Sequence, residues 1–490
     1  MEVQELLKLY AAHPQVTALD TLLKNDTSRN IFLKGLNGSG PAMTIASLFT
    51  KGRGSYVCVL NDQEEAGYFY HDLMQLTASN EVYFFPSAYR RAIKYGHVDP
   101  ANEILRTEVL SRLQDPDASF VIVTYPDALA ERVVAREVLK ENTLKISVGE
   151  KLDNMFVSDV LDEYGFEQVD YVYEPGQYAL RGSILDVFSF SYEFPYRIDF
   201  FGDEVETIRT FDVETQLSKE KLDSIYIVPE MSKNAKDSTS LLGSLPRNTF
   251  IAARDLAWCK ERIGSVWNDD PVVADEESFA DIDQMRKKLV RGEDFLREVL
   301  DFRRIHFGAR PMGTADATIH FSTQTQPIYH KNFDRVSESF HKYLDEGYTL
   351  YILSDQEKQA NRIRMIFEDR GDNIPFTAVN RTIHEGFADD TLRICFFTDH
   401  QLFDRFHKFN LKSDKARSGK ITLSLKELNQ FSQGDYIVHI DHGVGQFGGL
   451  VRTEVNGKMQ EAIKLIYQNN DIIFVSIHSL HKLSKYKGKE

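Results

Sequence analysis

Gly35-Leu36-Asn37-Gly38-Ser39-Gly40-Pro41-Ala42 has the glycine spacing of a loop that cradles phosphate, but the two side chains that would touch nucleotide are replaced. In a working loop a lysine reaches the β- and γ-phosphates and the next Ser or Thr hydroxyl ligates magnesium; Pro41 and Ala42 hold those positions. Proline also removes a backbone N–H from the amides that would hold an anion, although it fits the first turn of a helix. Ile31-Phe32-Leu33 reads as a buried strand before the loop, and Ala42 to Phe49 as a helix after it. No acidic pair follows Val121-Ile122-Val123-Thr124, so the magnesium-orienting carboxylate is missing as well. Three readings are open: a glycine turn, a nucleotide site working through other residues, and a nucleotide fold that no longer hydrolyses. The residues favour the last, so the expectation is no catalytic residue and no cofactor.

His439, Asp441 and His442, with His478 and His481 farther on, are residue types that suit a transition metal. Neighbours on a strand point to opposite faces, so these do not converge without an irregular turn, and no metal site is expected. Ser, His and acidic residues occur in no nucleophile elbow. Arg181, Arg197 and Phe201 form a more informative set. A guanidinium offers a planar fork of donors to a carboxylate, and an aromatic beside it can fill a pocket, which suits protein recognition. The plainer reading is solvated arginines and a core phenylalanine.

The elements that position these residues follow from periodicity. Ser55 to Leu60, Val82 to Phe85 and Phe120 to Thr124 read as strands, and Glu64 to Leu76 and Glu103 to Leu113 as helices, which predicts a largely parallel sheet with flanking helices. From about Leu144 the texture turns to β: Tyr178 to Phe188, Tyr196 to Phe201, a Gly202-Asp203 turn, and Val205 to Val213. A long helix is predicted over Glu276 to Asp301. Another α/β unit follows, with a strand at Leu350 to Leu353, a helix over Asp355 to Asp369 and a strand at Leu392 to Phe397. The stretch Gly434 to Tyr486 reads as short strands of a small, strongly bent antiparallel barrel. The expected boundaries are 1–140, 141–228, 229–326, 327–405, a basic linker at 406–430, and 431–490.

At 490 residues the chain needs several cores. Hydrophobic residues at 42% and charged residues at 27% describe a soluble protein, and no apolar run is long enough to span a membrane. Met1-Glu2-Val3-Gln4-Glu5 is not a secretion signal, so a cytoplasmic location is expected. Cys58, Cys259 and Cys395 are far apart and odd in number, which fits reduced thiols. A net charge of −16 argues against nonspecific nucleic-acid binding by the chain as a whole. The basic residues Arg405, Lys408, Lys412, Lys415, Arg417 and Lys420 read first as a solvated linker and second as a docking patch.

Tyr173-Glu174-Pro175-Gly176-Gln177-Tyr178-Ala179-Leu180-Arg181-Gly182-Ser183-Ile184-Leu185-Asp186-Val187-Phe188, continued by Tyr196-Arg197-Ile198-Asp199-Phe200-Phe201-Gly202-Asp203-Glu204-Val205, resembles the UvrB-like module of bacterial transcription-repair coupling factors (Mfd). Gly434-Asp435-Tyr436-Ile437-Val438-His439, Asp441-His442-Gly443-Val444-Gly445 and Val475-Ser476-Ile477-His478-Ser479-Leu480 look like that family's RNA polymerase interaction domain, a Tudor-like barrel related to CarD. The two in this order separate the family from UvrB itself. The resemblance implies a degenerate phosphate-loop α/β domain with an inserted β-rich domain, a further α/β domain, and the small Tudor-like barrel. It implies UvrA contacts at Arg181, Arg197 and Phe201, and contacts to the polymerase β subunit at Val451, Arg452, Thr453 and Glu454. The family often has an apolar residue where this chain has Thr453. Val438 and Leu465 are expected to keep the barrel rigid. UvrB's DNA-threading hairpin has little room between Tyr89 and Glu103. The family's proteins continue into an ATP-driven DNA translocase, so ATP, magnesium and most DNA contact are expected in domains beyond Glu490.

Overall fold

Four short strands before residue 142 and three after residue 231 build one sheet, in the order Ala317–His320, Asn30–Lys34, Arg303–His306, Phe250–Ala253, Tyr56–Val59, Val121–Thr124, Val82–Phe84. Each neighbouring pair is parallel. Tyr56–Val59, Val121–Thr124 and Phe250–Ala253 are buried at every position, as expected of strands covered by helices on both faces. The computed structural model describes the chain except for residues 26–27, 78–80, 89–98, 214, 232–237, 269–285, 406, 410, 412–432, 440–441, 456–457, 468–470, 477–482 and 487–490. The segment between Tyr89 and Glu103 and the basic stretch beyond Lys408 therefore lie largely outside the described residues.

Residues 1–141 and 231–411 form one compact unit. Its second sheet is mixed, in the order Thr323–Thr325, Phe387–Asp389, Ile394–Thr398, Thr349–Leu353, Thr377–Val379. Strand alternation splits its side chains. Tyr351, Leu353, Ile394 and Phe396 join the core of the first sheet, while Leu350, Ile352, Cys395 and Phe397 form a separate core with Val336, Phe340, Ile363 and Phe367 of the helices Phe333–Asp345 and Glu357–Arg370. Cys58, Cys259 and Cys395 are free and buried.

The helix predicted over Glu276 to Asp301 is only partly present: Gly292–Val299 is helical and 269–285 lies outside the described residues. Between them, the Arg132 N–H donates to the Lys288 carbonyl and the Val290 N–H to the Ala130 carbonyl. This pairing with a neighbouring segment overrides the local helical composition.

His13 fastens the N-terminal helices Val3–Ala11 and Pro14–Lys24 to the second sheet. Its Nδ1 accepts from the Gln15 N–H, so Nε2 carries the proton and donates to Asp389 Oδ2 at 3.0 Å. Both side chains are fully buried. Asp389 Oδ1 accepts from the Thr391 and Leu392 N–H groups.

Four more histidines gather where the segment after Leu402 crosses the helix Gln63–Thr77. The rings of His400 and His407 stack at 4.3 Å, His71 meets His407 at 5.0 Å, and Tyr68 stacks on His384 at 3.6 Å. Among the described residues no group of three or more His, Cys, Asp or Glu is placed to hold a metal. Burial, reinforced by like-charged neighbours, pushes His71, His384 and His400 each down to about 4, and burial also lowers His407. The unfolded chain therefore takes up protons before the folded one as pH falls below 6.5, and stability is lost between there and about 4. Asp72, which burial raises to about 7, and Asp355, which burial also raises, work in the opposite direction, but they are two groups against these four and His306, which burial likewise pushes down to about 4. The urea midpoint is expected to fall steadily from pH 6.5 to 4 at fixed ionic strength; a flat or rising midpoint would contradict this account.

Residues 142–230 have their own core and a six-stranded sheet, in the order Ser218–Leu222, Glu204–Phe211, Tyr196–Phe201, Ile184–Val187, Gln177–Arg181, Glu167–Gln168. Pairing is antiparallel except at the last pair. Tyr178 to Phe188 is a hairpin that turns at Gly182, whose φ is +63°. The helix Asn154–Glu163 covers one face through Val157 and Leu161, against Leu185, Val187, Ile198 and Phe200.

The last module is a five-stranded antiparallel sheet, in the order Ile472–Ser476, Lys458–Ile466, Gly443–Val455, Tyr436–His439, Leu483–Lys485. Leu465 is fully buried in its core, as expected, but Val438 is not a core residue. Alternation along Tyr436–His439 sends Ile437 and His439 inward and leaves Val438 half-buried opposite the exposed Val444. No helix among the described residues is long and apolar enough to cross a membrane.

Candidate functional site

The glycine loop joins the strand Asn30–Lys34 to the helix Gly40–Thr50, with Pro41 in its first turn. Gly35 and Gly38 have φ of +89° and +53°, and a Cβ at Gly35 would collide with the Phe321 carbonyl. Amides of the loop already have partners. The Asn37 N–H donates to Thr323 Oγ1 at 2.9 Å, and the Ser39 N–H to the Glu385 carbonyl at 3.0 Å. Glu385 returns its own N–H to Ser39 Oγ at 3.0 Å. Beside the loop lie a cleft of about 570 Å³ and a smaller one of about 240 Å³. Arg254 and Glu385 line both; Lys34 and Asp255 also line the larger, while Asp62, Glu64, Glu65 and Asp72 make the smaller one a wall rich in carboxyl groups for a phosphate to approach. Restoring the two missing side chains, Pro41→Lys with Ala42→Thr, is accordingly expected to give no magnesium-dependent ATP hydrolysis. Phosphate release above that of the unmodified chain would overturn this.

The face of the six-stranded sheet opposite the helix carries Arg181 and Arg197. Arg197 sits directly across from Asp186 in the ladder and binds it with both prongs, Nε to Oδ1 at 2.7 Å and Nη2 to Oδ2 at 2.8 Å. Arg181 Nη2 donates to the same Oδ2. Asp186 is fully buried, while the Arg197 side chain is 15% exposed and that of Arg181 34%. Each guanidinium has a second anchor: Arg181 Nη1 donates to the Asp170 carbonyl at 2.8 Å, and Arg197 Nη1 to the Gln216 carbonyl at 3.1 Å. Each also lies over an aromatic ring, Tyr171 at 5.0 Å for Arg181 and Phe211 at 4.5 Å for Arg197. The Asp186 carboxylate holds Arg197 more firmly protonated than usual.

Phe201 is not core. It ends its strand on the same face as Arg197 and is 78% exposed. Around it the Leu152 N–H donates to the Asp203 carbonyl and Asn154 Nδ2 to the Gly182 carbonyl, so the start of the helix Asn154–Glu163, with exposed Met155 and Phe156, is tied to the same end of the sheet. Sequence reading missed Asp186, and these two as well. Alternation alone sends Asp186, between the core residues Leu185 and Val187, to the outer face, where a carboxylate is unremarkable; only its burial against the arginines singles it out.

Val451, Arg452, Thr453 and Glu454 follow one another on the strand Gly443–Val455, facing Ala462, Glu461, Gln460 and Met459 of the next strand. The side chains of Arg452, Thr453 and Glu454 lie outside the described residues. On the other side, Tyr436–His439 pairs only with Gly443 to Gln446, so among the described residues the later part of this strand has one open edge. His439 and His442 approach to 4.7 Å between ring centroids, while Asp441, His478 and His481 lie outside the described residues.

Residues 144–232 match the family model of the UvrB interaction domain, and residues 431–487 that of the CarD-like/TRCF RID domain. The chain is similar to the transcription-repair-coupling factor of Staphylococcus aureus (strain bovine RF122 / ET3-1), 23% identical over 561 residues that cover 97% of this chain and 47% of the relative. It is likewise similar to the transcription-repair-coupling factor of Escherichia coli (strain K12), 22% identical over 518 residues covering 92% and 45%. The chain thus spans about half the length of the curated relatives it matches.

Proposed function

We propose that this chain, which corresponds to the N-terminal portion of a transcription-repair-coupling factor, is a non-catalytic adaptor that joins stalled RNA polymerase to nucleotide excision repair in the cytoplasm. The observation that carries the reading is the presence, in one chain and in this order, of a match to the UvrB interaction domain and a match to the RID domain. Arg181, Arg197 and Phe201 present the first module to UvrA. A basic pair with an exposed aromatic on the same face of the sheet is the make-up of an interface hot spot.

The terminal module holds the polymerase β subunit through Val451 to Glu454. The edge that is open among the described residues offers backbone groups to a strand of the partner, which gives affinity without demanding a particular side chain at Thr453. The first unit is a nucleotide fold whose phosphate loop has become a structural turn, closed by Thr323 and Glu385. It uses no cofactor. In the complete protein, ATP, magnesium and DNA are the business of a translocase domain that displaces the polymerase.

The test is a pull-down of purified UvrA and of polymerase β subunit with this chain, alongside an ATPase assay. Retention of both partners without turnover supports the adaptor. Magnesium-dependent turnover would favour an ATPase with a non-standard loop, and retention of polymerase alone a CarD-like regulator.

A further inference from the structure

The two arginines of the proposed UvrA surface are not independent. Both converge on one carboxylate, and Asp186 has no exposed surface with which to meet a partner itself. Arg197 commits its Nε–H and one N–H from each terminal nitrogen within the module, and Arg181 one from each terminal nitrogen. A guanidinium has five N–H donors, so both retain donors that meet no acceptor among the described residues. Two cations and one anion leave the cluster with a net positive charge. From this geometry we infer that Asp186 is the positioning residue of the interface: it sets both guanidinium planes so that their remaining donors and residual charge meet a carboxylate of the partner.

Asp186 is suited to that task by where it sits. It lies mid-sheet on the strand Ile184–Val187, between Ala179 on one neighbour and Arg197 on the other. The aromatic faces of Tyr171 and Phe211 and the carbonyls of Asp170 and Gln216 hold the far sides of the two guanidiniums. A neutral side chain at 186 would leave two cations facing each other with nothing between them, and they would turn apart.

The inference rests on residues 142–230 being the UvrA-binding module, and the experiment separates the two. UvrA binding is measured for this chain and for Asp186→Asn, with capture of polymerase β subunit by the same molecules as control. Asp186→Asn makes the face more positive, so simple charge attraction to an acidic partner predicts tighter binding. Positioning predicts weaker binding, by about tenfold or more, the range over which interface hot spots act. It also predicts that Arg181→Ala costs far less affinity in the Asp186→Asn background than alone.

Equal or tighter UvrA binding by folded Asp186→Asn overturns the inference and leaves the adaptor reading intact. Failure of the unmodified chain to bind UvrA overturns the reading instead. If Asp186→Asn loses the near-UV signal of the module, a double-mutant cycle of Arg181→Ala and Arg197→Ala decides: two guanidiniums set by one carboxylate give non-additive losses, whereas additive losses refute the shared anchor.

Discussion

Arg197→Ala is expected to abolish detectable retention of UvrA at concentrations where the unmodified chain binds, while capture of polymerase β subunit is unchanged. Two losses combine at this residue. The first is the contact itself: truncating an arginine at the centre of an interface typically removes at least about 2 kcal/mol, roughly thirtyfold in affinity. The second is the state of the module that remains. Asp186 has no exposed surface, and among the described residues the cation it keeps without its bidentate partner is the more exposed Arg181. Breaking one side of a buried ion pair destabilises by about 3–5 kcal/mol, and the low end applies here because Arg181 stays. Arg197→Lys separates the two losses, since an ammonium keeps the charge but cannot occupy both carboxylate oxygens in one plane. It should fold close to normally and bind UvrA at an intermediate level. The measurements are calorimetric titration with UvrA and urea unfolding of each variant; parent-like UvrA affinity in Arg197→Ala would remove this face from the interface.

His13→Ala should produce the largest purely structural loss, about 3–5 kcal/mol of the stability of the unit formed by residues 1–141 and 231–411. The Asp389 side chain is completely buried, and among the described residues its carboxylate is hydrogen-bonded by His13 and by the two backbone amides at 391 and 392. Alanine would also take from Gln15 the acceptor of its N–H at the start of the second helix. Asp389→Asn is expected to be much milder. The carboxamide oxygen still accepts the two backbone N–H groups and no buried charge is left behind, so what is lost is the one bond from His13 Nε2–H, which then faces the amide NH2. A urea midpoint for His13→Ala equal to that of Asp389→Asn would mean that the buried charge carries none of the effect.

The sequence discloses elements more readily than their neighbours. Tyr56–Val59 and Val121–Thr124 announce themselves because a strand covered on both faces must be apolar at every position. Nothing local, however, places Phe250–Ala253 between Tyr56–Val59 and Arg303–His306, since order within a sheet is decided by helices packing across it. Val438 was misplaced for a related reason: inward and outward positions of a four-residue strand differ by one step of register, which two equally apolar neighbours, Ile437 and Val438, do not distinguish. At the arginine face, the cations and Phe201 were legible because their chemistry is distinctive. Asp186 was hidden among strand residues, and its importance is visible only once the ladder sets it opposite Arg197. The closing of the glycine loop by Thr323 and Glu385 was equally out of reach, because those contacts join residues 286 and 346 positions apart.

The strand Asn30–Lys34 has both of its ladder partners, Arg303–His306 and Ala317–His320, on the far side of the insertion. During synthesis it therefore waits for some 270 residues before either partner leaves the ribosome; at about 5–20 residues per second that is on the order of 15–50 seconds. The module at 142–230 is finished in that interval and has its own core and its own sheet, so it can fold while the surrounding sheet is still half made. The module at 142–230 would then be folded before the seven-stranded sheet is complete. An apolar strand left open for so long is a natural substrate for chaperones, and slowing translation between residues 230 and 320 should raise the fraction of nascent chains that need them.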